Sequence, residues 1–244
     1  MSAAKDTATA EECAKPFTGG KCLDEVRLIF DDQEELFVSQ NFLILSSPVF
    51  EAMFKNEFKE KQSMTVNLTG KNYADFLEFL MCIQPGFLNP ITESNVLRIA
   101  SIAEEYQVAS IVTSCKVLMK NWLDKELQQA KRNASTTEHV VPTRQCLTIL
   151  ITASSLNYET ETAYAVDIIA RLPHRIYYGS YQPDTINTNY YHYLDNTRKV
   201  NGVDVKLREI IAECGKLFLK LPAELRCTLL SKRLAALYQD NEIK

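Results

Sequence analysis

The alternation of apolar and polar residues near the start of the chain predicts a β-hairpin. The apolar residues Val26, Leu28 and Phe30 fall on one face of the predicted strand and alternate with Arg27 and Ile29 on the other face. The acidic run at 31–34 marks the turn, and 36–38 forms the return strand. The segment 64–68 alternates in the same way, so we expect a third strand there.

Between the hairpin and the third strand, the apolar spacing changes to that of helices. Ser47 can cap a helix whose first turn contains Pro48, because the missing proline N–H is not needed at that position. Four residues at helical spacing form its apolar face: Val49, Phe50, Met53 and Phe54. Further helices are predicted from Asn72 to Pro85, from 90–94 onward, and through 111–122.

The second half of the chain predicts helices alone. A polar loop at 131–142 precedes a helix that Thr143 can cap, and 163–170 forms another helix. A regular apolar stripe covers 207–221, and Pro222 begins the last helix. A hairpin followed by helices, with one further strand inserted, is an α+β arrangement. We therefore expect a small sheet capped by helices, followed by an all-helical C-terminal region.

Composition sets the predicted boundaries and the expected location. Residues 1–22 are rich in Ala, Thr and Lys, which favours a disordered tail, and we expect an α+β domain at 23–123 and a helical extension at 124–244. A net charge of −4 without a basic block argues against direct binding to nucleic acid. No secretory segment or membrane-length apolar run is recognisable, so we expect no membrane partner and a cytoplasmic or nuclear location, or both.

The distribution of cysteine and histidine argues against metal sites and disulfides. The chain has 7 cysteines without a Cys-x-x-Cys pair, and its 3 histidines lack metal-ligand spacing, which favours reduced thiols. Four cysteines fall within apolar helical patterns and are expected in the core: Cys82, Cys115, Cys146 and Cys214. Motifs for a nucleophile elbow, a zinc protease, a phosphate loop or a dinucleotide site are missing. We expect no enzymatic activity and no cofactor.

The helix pair after the hairpin resembles the middle of a BTB (POZ) domain. The residues that carry this resemblance are Val38, Ser39, Leu43, Ser47, Phe50, Met53 and Phe54. It continues through Trp122, and the helices beyond it weakly resemble the three-box or BACK-like extension of many BTB proteins. Many members begin the first strand with Asp-Val and carry His-Lys where this chain has Ser39-Gln40, and the resulting acid-and-base pair lines a charged pocket in transcriptional members. Here Glu25, or Asp24, and Gln40 replace that pair. That difference puts corepressor recruitment in doubt.

In many BTB proteins that bind cullin-3, an apolar-x-Glu tripeptide follows this helix. Phe58-Lys59-Glu60 stands at the matching place. The resemblance implies a substrate adaptor of a cullin-3 RING ubiquitin ligase, in which Phe58 enters a cullin pocket beside Glu60. Tyr106 occupies an aromatic position that matches another cullin contact of the family. The alternatives are that Phe58 folds back onto its own helix and that Tyr106 belongs to the core.

The resemblance also implies a homodimer formed through the first strand and first helix. The predicted interface residues are Val26, Leu28, Phe42 and Leu43. The apolar run 42–45 is wider than one buried helix face requires, although a wholly intramolecular core would also explain it. A function of another class stays open, namely an oligomerising scaffold that does not bind a cullin.

A tyrosine-rich segment at 176–193 is a candidate surface for an unknown protein substrate. The predicted contact residues are Tyr178, Tyr181, Tyr190 and Tyr191. Tyrosine with Asn and Ser is typical of adaptable recognition surfaces. The alternative is a long loop that its own side chains pin to the helices.

Overall fold

The computed structural model describes residues 16–20, 22–55, 62–87, 89–132, 140–172 and 203–242. These residues fold into two compact units. The first contains the described residues up to Asn89 together with Tyr106–Val108. The second contains Pro90–Glu105 and the described residues from Ala109 onward.

The first unit is built on the predicted three-stranded sheet. Its strands are β1 (Glu25–Phe30), β2 (Glu35–Ser39) and β3 (Thr65–Leu68). The order is β2-β1-β3, with β2 antiparallel and β3 parallel to β1. Alternate residues of each strand are buried on one face, so the period-two pattern in the sequence correctly identified the hairpin, the third strand and the core side of the sheet.

Three helices lie on the buried side of this sheet: α1 (Gln40–Ser46), α2 (Pro48–Lys55) and α3 (Tyr73–Ile83). The side chain of Asn72 caps α3 by accepting the N–H of Asp75 at 3.0 Å, as the sequence predicted. Phe76 and Phe79 of α3 are fully buried, and Phe76 lies edge-on to Phe30 of β1 at 5.7 Å between ring centroids. Aromatic packing therefore joins this helix to the sheet.

The second unit is helical throughout its described part. Its helices are α4 (Val96–Glu105), α5 (Ala109–Arg132), α6 (Val140–Ser155), α7 (Glu159–Arg171), α8 (Val203–Lys220) and α9 (Ala223–Glu242). Helix α6 packs against α5, α7 and α8, while α9 packs against α7. The α+β fold with an all-helical C-terminal region is confirmed. Three of the four predicted core cysteines lie in this unit, and all four are buried.

Two boundaries differ from the sequence predictions, namely the start of α6 and the extent of the N-terminal tail. Helix α6 begins at Val140, so Thr143 is a buried residue within the helix and does not cap it. The proline at 142 misled the prediction, because proline is tolerated in a first helical turn. The predicted domain division at 123–124 lies within helix α5 and stays a prediction. The predicted tail is folded at 16–20, where Phe17 is buried.

Two residues with ionisable side chains, Arg233 and Glu126, are buried in the helical unit. Arg233 of α9 donates to the carbonyl oxygens of Ala170 and Leu172, so it caps the C-terminal end of α7. Glu126 of α5 is buried and accepts a hydrogen bond from Trp122 Nε1 at 2.9 Å. Burial raises the pKa of the Glu126 carboxyl above its ordinary value, because the charged form loses its hydration.

Candidate interaction surface

Ser47 separates the two helices that carry the BTB resemblance. Its Oγ accepts the N–H of Phe50 at 3.2 Å, which caps α2 as predicted, and donates to the backbone oxygen of Tyr106 at 2.6 Å. Its own N–H donates to Leu43 O at 3.0 Å and ends α1. One buried hydroxyl thus fixes the end of α1, the start of α2 and the position of the backbone at Tyr106.

The ring of Tyr106 lies in the core of the first unit and not on a surface. Its exposed fraction is 4%, and it stacks on Phe50 of α2 with 4.7 Å between centroids. Phe76 and Phe79 of α3 also contact this ring, at 5.4 and 6.3 Å. This packing agrees with the core interpretation of Tyr106. A direct contact between Tyr106 and a cullin would require the ring to leave this cluster.

Phe58 and Glu60 lie outside the described residues. The last described position before them is Lys55, at the end of α2, where it pairs with Glu51 one turn earlier. Helix α2 itself is held firmly, because Phe50 is fully buried and Phe54 stacks on it at 6.4 Å. In sequence, the two predicted cullin contacts begin three residues after the end of α2, a helix whose orientation the aromatic core determines.

The predicted dimer residues divide into core and surface positions. Val26, Leu28 and Leu43 are fully buried within their own subunit, so they cannot contact a second copy in this conformation. Their prediction as interface residues is corrected, because they occupy the inward positions of β1 and α1. Phe42 is half-buried, which leaves part of its ring available at the surface. The sequence predicted the strand and the helix correctly, but the residues that it selected for the interface lie on the inward faces of both elements.

Leu45 lies in the apolar run 42–45 of α1, although it was not among the four named interface residues. Its side chain is 88% exposed, and Leu23, just before β1, is fully exposed. Leu45 lies one turn from exposed Asn41, on the side of the helix opposite buried Leu43. Helical spacing alone does not identify it, because position 45 is outward only once position 43 is known to be inward. A contiguous apolar patch is typical of a protein-binding surface, whereas a single exposed leucine is common on any protein.

Asp24 holds the first strand to the start of α1. One carboxylate oxygen accepts the N–H of Asn41 at 3.0 Å and the hydroxyl of Ser39 at 2.7 Å. Ser39 in turn accepts the N–H of Phe42 at 3.3 Å. The Asn41 N–H and the Ser39 hydroxyl hold the pKa of Asp24 below its ordinary value. Asp24 therefore has a structural role in joining the strand to the helix. Its partner Ser39 is uncharged, so the contact between these two residues is a hydrogen bond and not an ion pair.

The remaining predicted contacts and exclusions concern other parts of the chain. The four candidate substrate contacts, Tyr178, Tyr181, Tyr190 and Tyr191, lie outside the described residues. Within the part that the structure describes, no cluster of three or more His, Cys, Asp or Glu side chains could bind a metal ion. Among the described helices, none combines the length and apolar character needed to cross a bilayer.

Comparison with known proteins identifies the domain that this geometry belongs to. Residues 16–122 match the BTB/POZ domain family. Over 85 residues the chain is 33% identical to BTB and MATH domain-containing protein 38 from Caenorhabditis elegans, and the matched stretch is 35% of this chain and 22% of that protein. The small sheet, the Ser47 helix junction and the aromatic core lie within the matched range. Residues 16–122 therefore form a BTB/POZ domain, a protein-interaction module, which a helical region follows.

Proposed function

We propose that this protein is a substrate adaptor of a cullin-3 RING ubiquitin ligase. In this proposal the BTB/POZ domain binds the N-terminal region of cullin-3. Phe58 inserts into an apolar pocket of the cullin, and Glu60 makes a polar contact at its edge. A large aromatic side chain that is desolvated in a partner's pocket is the usual form of an interface hot spot.

The observation that carries the proposal is the position of the tripeptide. Phe58-Lys59-Glu60 begins three residues after Lys55, the last residue of α2. Phe50 and Ser47 fix α2 against the buried aromatic cluster, so Lys55, the last described residue before the tripeptide, ends a helix of defined orientation. A segment that starts from a rigid helix loses less conformational freedom on binding than one in a free loop.

We further propose that two copies associate through the exposed side of α1. Leu45 and Leu23 supply the exposed apolar area, and the accessible part of Phe42 adds to it. Burying these side chains against a second copy would remove apolar surface from water. A symmetric pair would use each of these residues twice, as an isologous interface requires.

The helical region would present the substrate in this proposal. The tyrosine-rich segment that contains Tyr178, Tyr181, Tyr190 and Tyr191 is the proposed contact region for that protein substrate. An adaptor of this kind acts in the cytoplasm or the nucleus. A change of these four tyrosines to alanine would reduce substrate capture while leaving cullin binding intact.

A binding assay with the purified N-terminal region of cullin-3 tests the cullin assignment. We expect micromolar or tighter binding by the unmodified chain, and losses on Phe58→Ala and on Glu60→Ala. Lys59→Ala is the matched control, because the residue lies between the two proposed contacts and should change affinity little. All three variants should unfold at the same temperature as the unmodified chain.

The same assay separates the adaptor from a scaffold that oligomerises without a cullin. No binding at micromolar concentrations would favour the scaffold, particularly if the chain still forms dimers. If binding survives both Phe58→Ala and Glu60→Ala, the adaptor function would stand, but the assignment of these two residues as cullin contacts would be refuted. The exposed Leu45 serves either function, so dimerisation alone does not choose between them.

A further inference from the structure

Residues 16–20, here called the N-terminal strap, lie along the outer edge of β2. The backbone oxygen of Phe17 accepts the N–H of Phe37 at 2.9 Å. The Phe17 ring is 7% exposed and lies 5.4 Å from the ring of Phe87. The N–H of Gly20 donates to Glu25 Oε2 at 2.8 Å. A backbone bond, an aromatic contact and a bond to a carboxylate together hold the strap.

The backbone of the strap indicates that the ring contact determines its conformation. Phe17 has φ +56, the left-handed region that bulky residues rarely adopt. A side chain at Gly19 would meet the Phe37 ring at 3.4 Å, so glycine allows the strap to approach β2 closely. A phenylalanine persists in a disfavoured conformation only where the surrounding contacts stabilise it. The Phe17 ring is buried in the slot between the β2 edge and Phe87, and these contacts accompany its disfavoured backbone conformation.

The strap covers a hydrogen-bonding edge of the sheet. In the order β2-β1-β3, the outer side of β2 has no neighbouring strand among the described residues. Phe37 lies opposite Arg27, whose N–H bonds to Met64 O on the far side, so the Phe37 N–H points away from β1. Open strand edges accept extended segments of other chains. With Phe17 in place, that edge is closed at Phe37.

We infer that the slot formed by the Phe37 N–H and the Phe87 ring binds a peptide with an aromatic side chain, and that Phe17 occupies it as an autoinhibitory strap. The partner is a segment of another protein that carries an aromatic residue followed by small residues and turns at the aromatic residue, as the strap sequence Phe-Thr-Gly-Gly does. Main-chain bonding to β2 would supply part of the affinity and the ring would supply selectivity. This inference does not depend on cullin binding.

A labelled peptide with the sequence of residues 14–20 tests the inference by fluorescence anisotropy. Phe17→Ala empties the slot in the full chain, so we expect this variant to bind the peptide at least about tenfold more tightly than the unmodified chain, as burial of one phenylalanine allows. Adding Phe87→Ala, or replacing the peptide's phenylalanine by alanine, should abolish the gain. Val117→Ala is the control, because Val117 is an exposed apolar residue of α5 that belongs neither to the strap nor to the proposed dimer surface. Equal binding by the unmodified chain and Phe17→Ala would overturn the inference.

Amide hydrogen exchange on the unmodified chain provides a second test that needs no variant. The Phe37 amide should be protected by its bond to Phe17, yet should exchange through local release of the strap. The adjacent Val38 lies opposite Val26 inside the sheet and should exchange only at a higher opening free energy. If Phe37 and Val38 exchange with the same opening free energy, the strap does not release while the sheet is intact, and the autoinhibitory role is refuted.

Discussion

Substitution of Leu45 by aspartate should dissociate the proposed dimer without unfolding the subunit. The Leu45 side chain is 88% exposed, so the isolated subunit loses almost no packing when it is replaced. Burial of one leucine contributes about 1.5–3 kcal/mol, and a symmetric interface buries it twice. The change should therefore cost about 3–6 kcal/mol, which weakens dimerisation roughly 10²–10⁴-fold.

Sedimentation equilibrium measures this loss directly. The unmodified chain should show a dimer in the micromolar range, and Leu45→Asp should remain a monomer at the same concentrations, with an unchanged melting temperature. Val117→Asp is the matched control, because Val117 is an exposed apolar residue of α5 outside the proposed interface. An unchanged dimer constant for Leu45→Asp, or an equal loss for Val117→Asp, would refute the assignment of α1 as the interface.

Three further predictions test the interior of the protein. Tyr106→Ala should lower the free energy of unfolding by about 3–5 kcal/mol in denaturant titration, because a buried aromatic cluster loses its central ring. Arg233→Ala should cost about 2–3 kcal/mol, since it leaves buried carbonyls without a donor, whereas the exposed neighbour Lys232→Ala should cost less than about 1 kcal/mol. Glu126→Gln should stabilise the protein at neutral pH, and thermal melts should show this gain disappearing as the pH falls to the ordinary carboxyl pKa of 4.5.

The sign of the Glu126 prediction follows from its raised pKa. In the folded state the carboxyl holds its proton to higher pH than in the unfolded state. The stability of the unmodified chain is therefore greatest below the unfolded pKa and declines as the pH rises through the folded pKa. Glutamine accepts the Trp122 hydrogen bond without a charge, so it avoids that decline. A gain for Glu126→Gln that is the same at pH 4 and pH 8 would show that ionisation is not its cause.

Periodicity predicted most of the fold because its patterns reflect burial directly. The alternation at 26–30 and 64–68 identified strands with one buried face, and the Ser47-Pro48 pair identified the start of α2. These signals are local, since they depend on residues within one or two turns of each other. The start of α6 was misplaced for the same reason, because a local rule interprets the polar segment before Pro142 as a loop.

The candidate surface could be located from sequence only in part. Burial on one face depends on which side of a helix meets the rest of the protein, and this requires tertiary contacts. The run at 42–45 showed that α1 is apolar on more than one side, but not that Leu43 is inward and Leu45 outward. Tyr106 shows the same limit, since its place beside Phe50 joins residues far apart in the chain. Phe17 gave no periodic signal, because it lies in a short segment held by long-range contacts.

Calorimetric titration of the N-terminal region of cullin-3 into the purified chain tests the central proposal most directly. We predict a dissociation constant in the micromolar range or below for the unmodified chain, and a loss of about 2 kcal/mol, roughly thirtyfold, for Phe58→Ala. The absence of measurable heat and binding for the folded, unmodified chain at these concentrations would contradict the adaptor function.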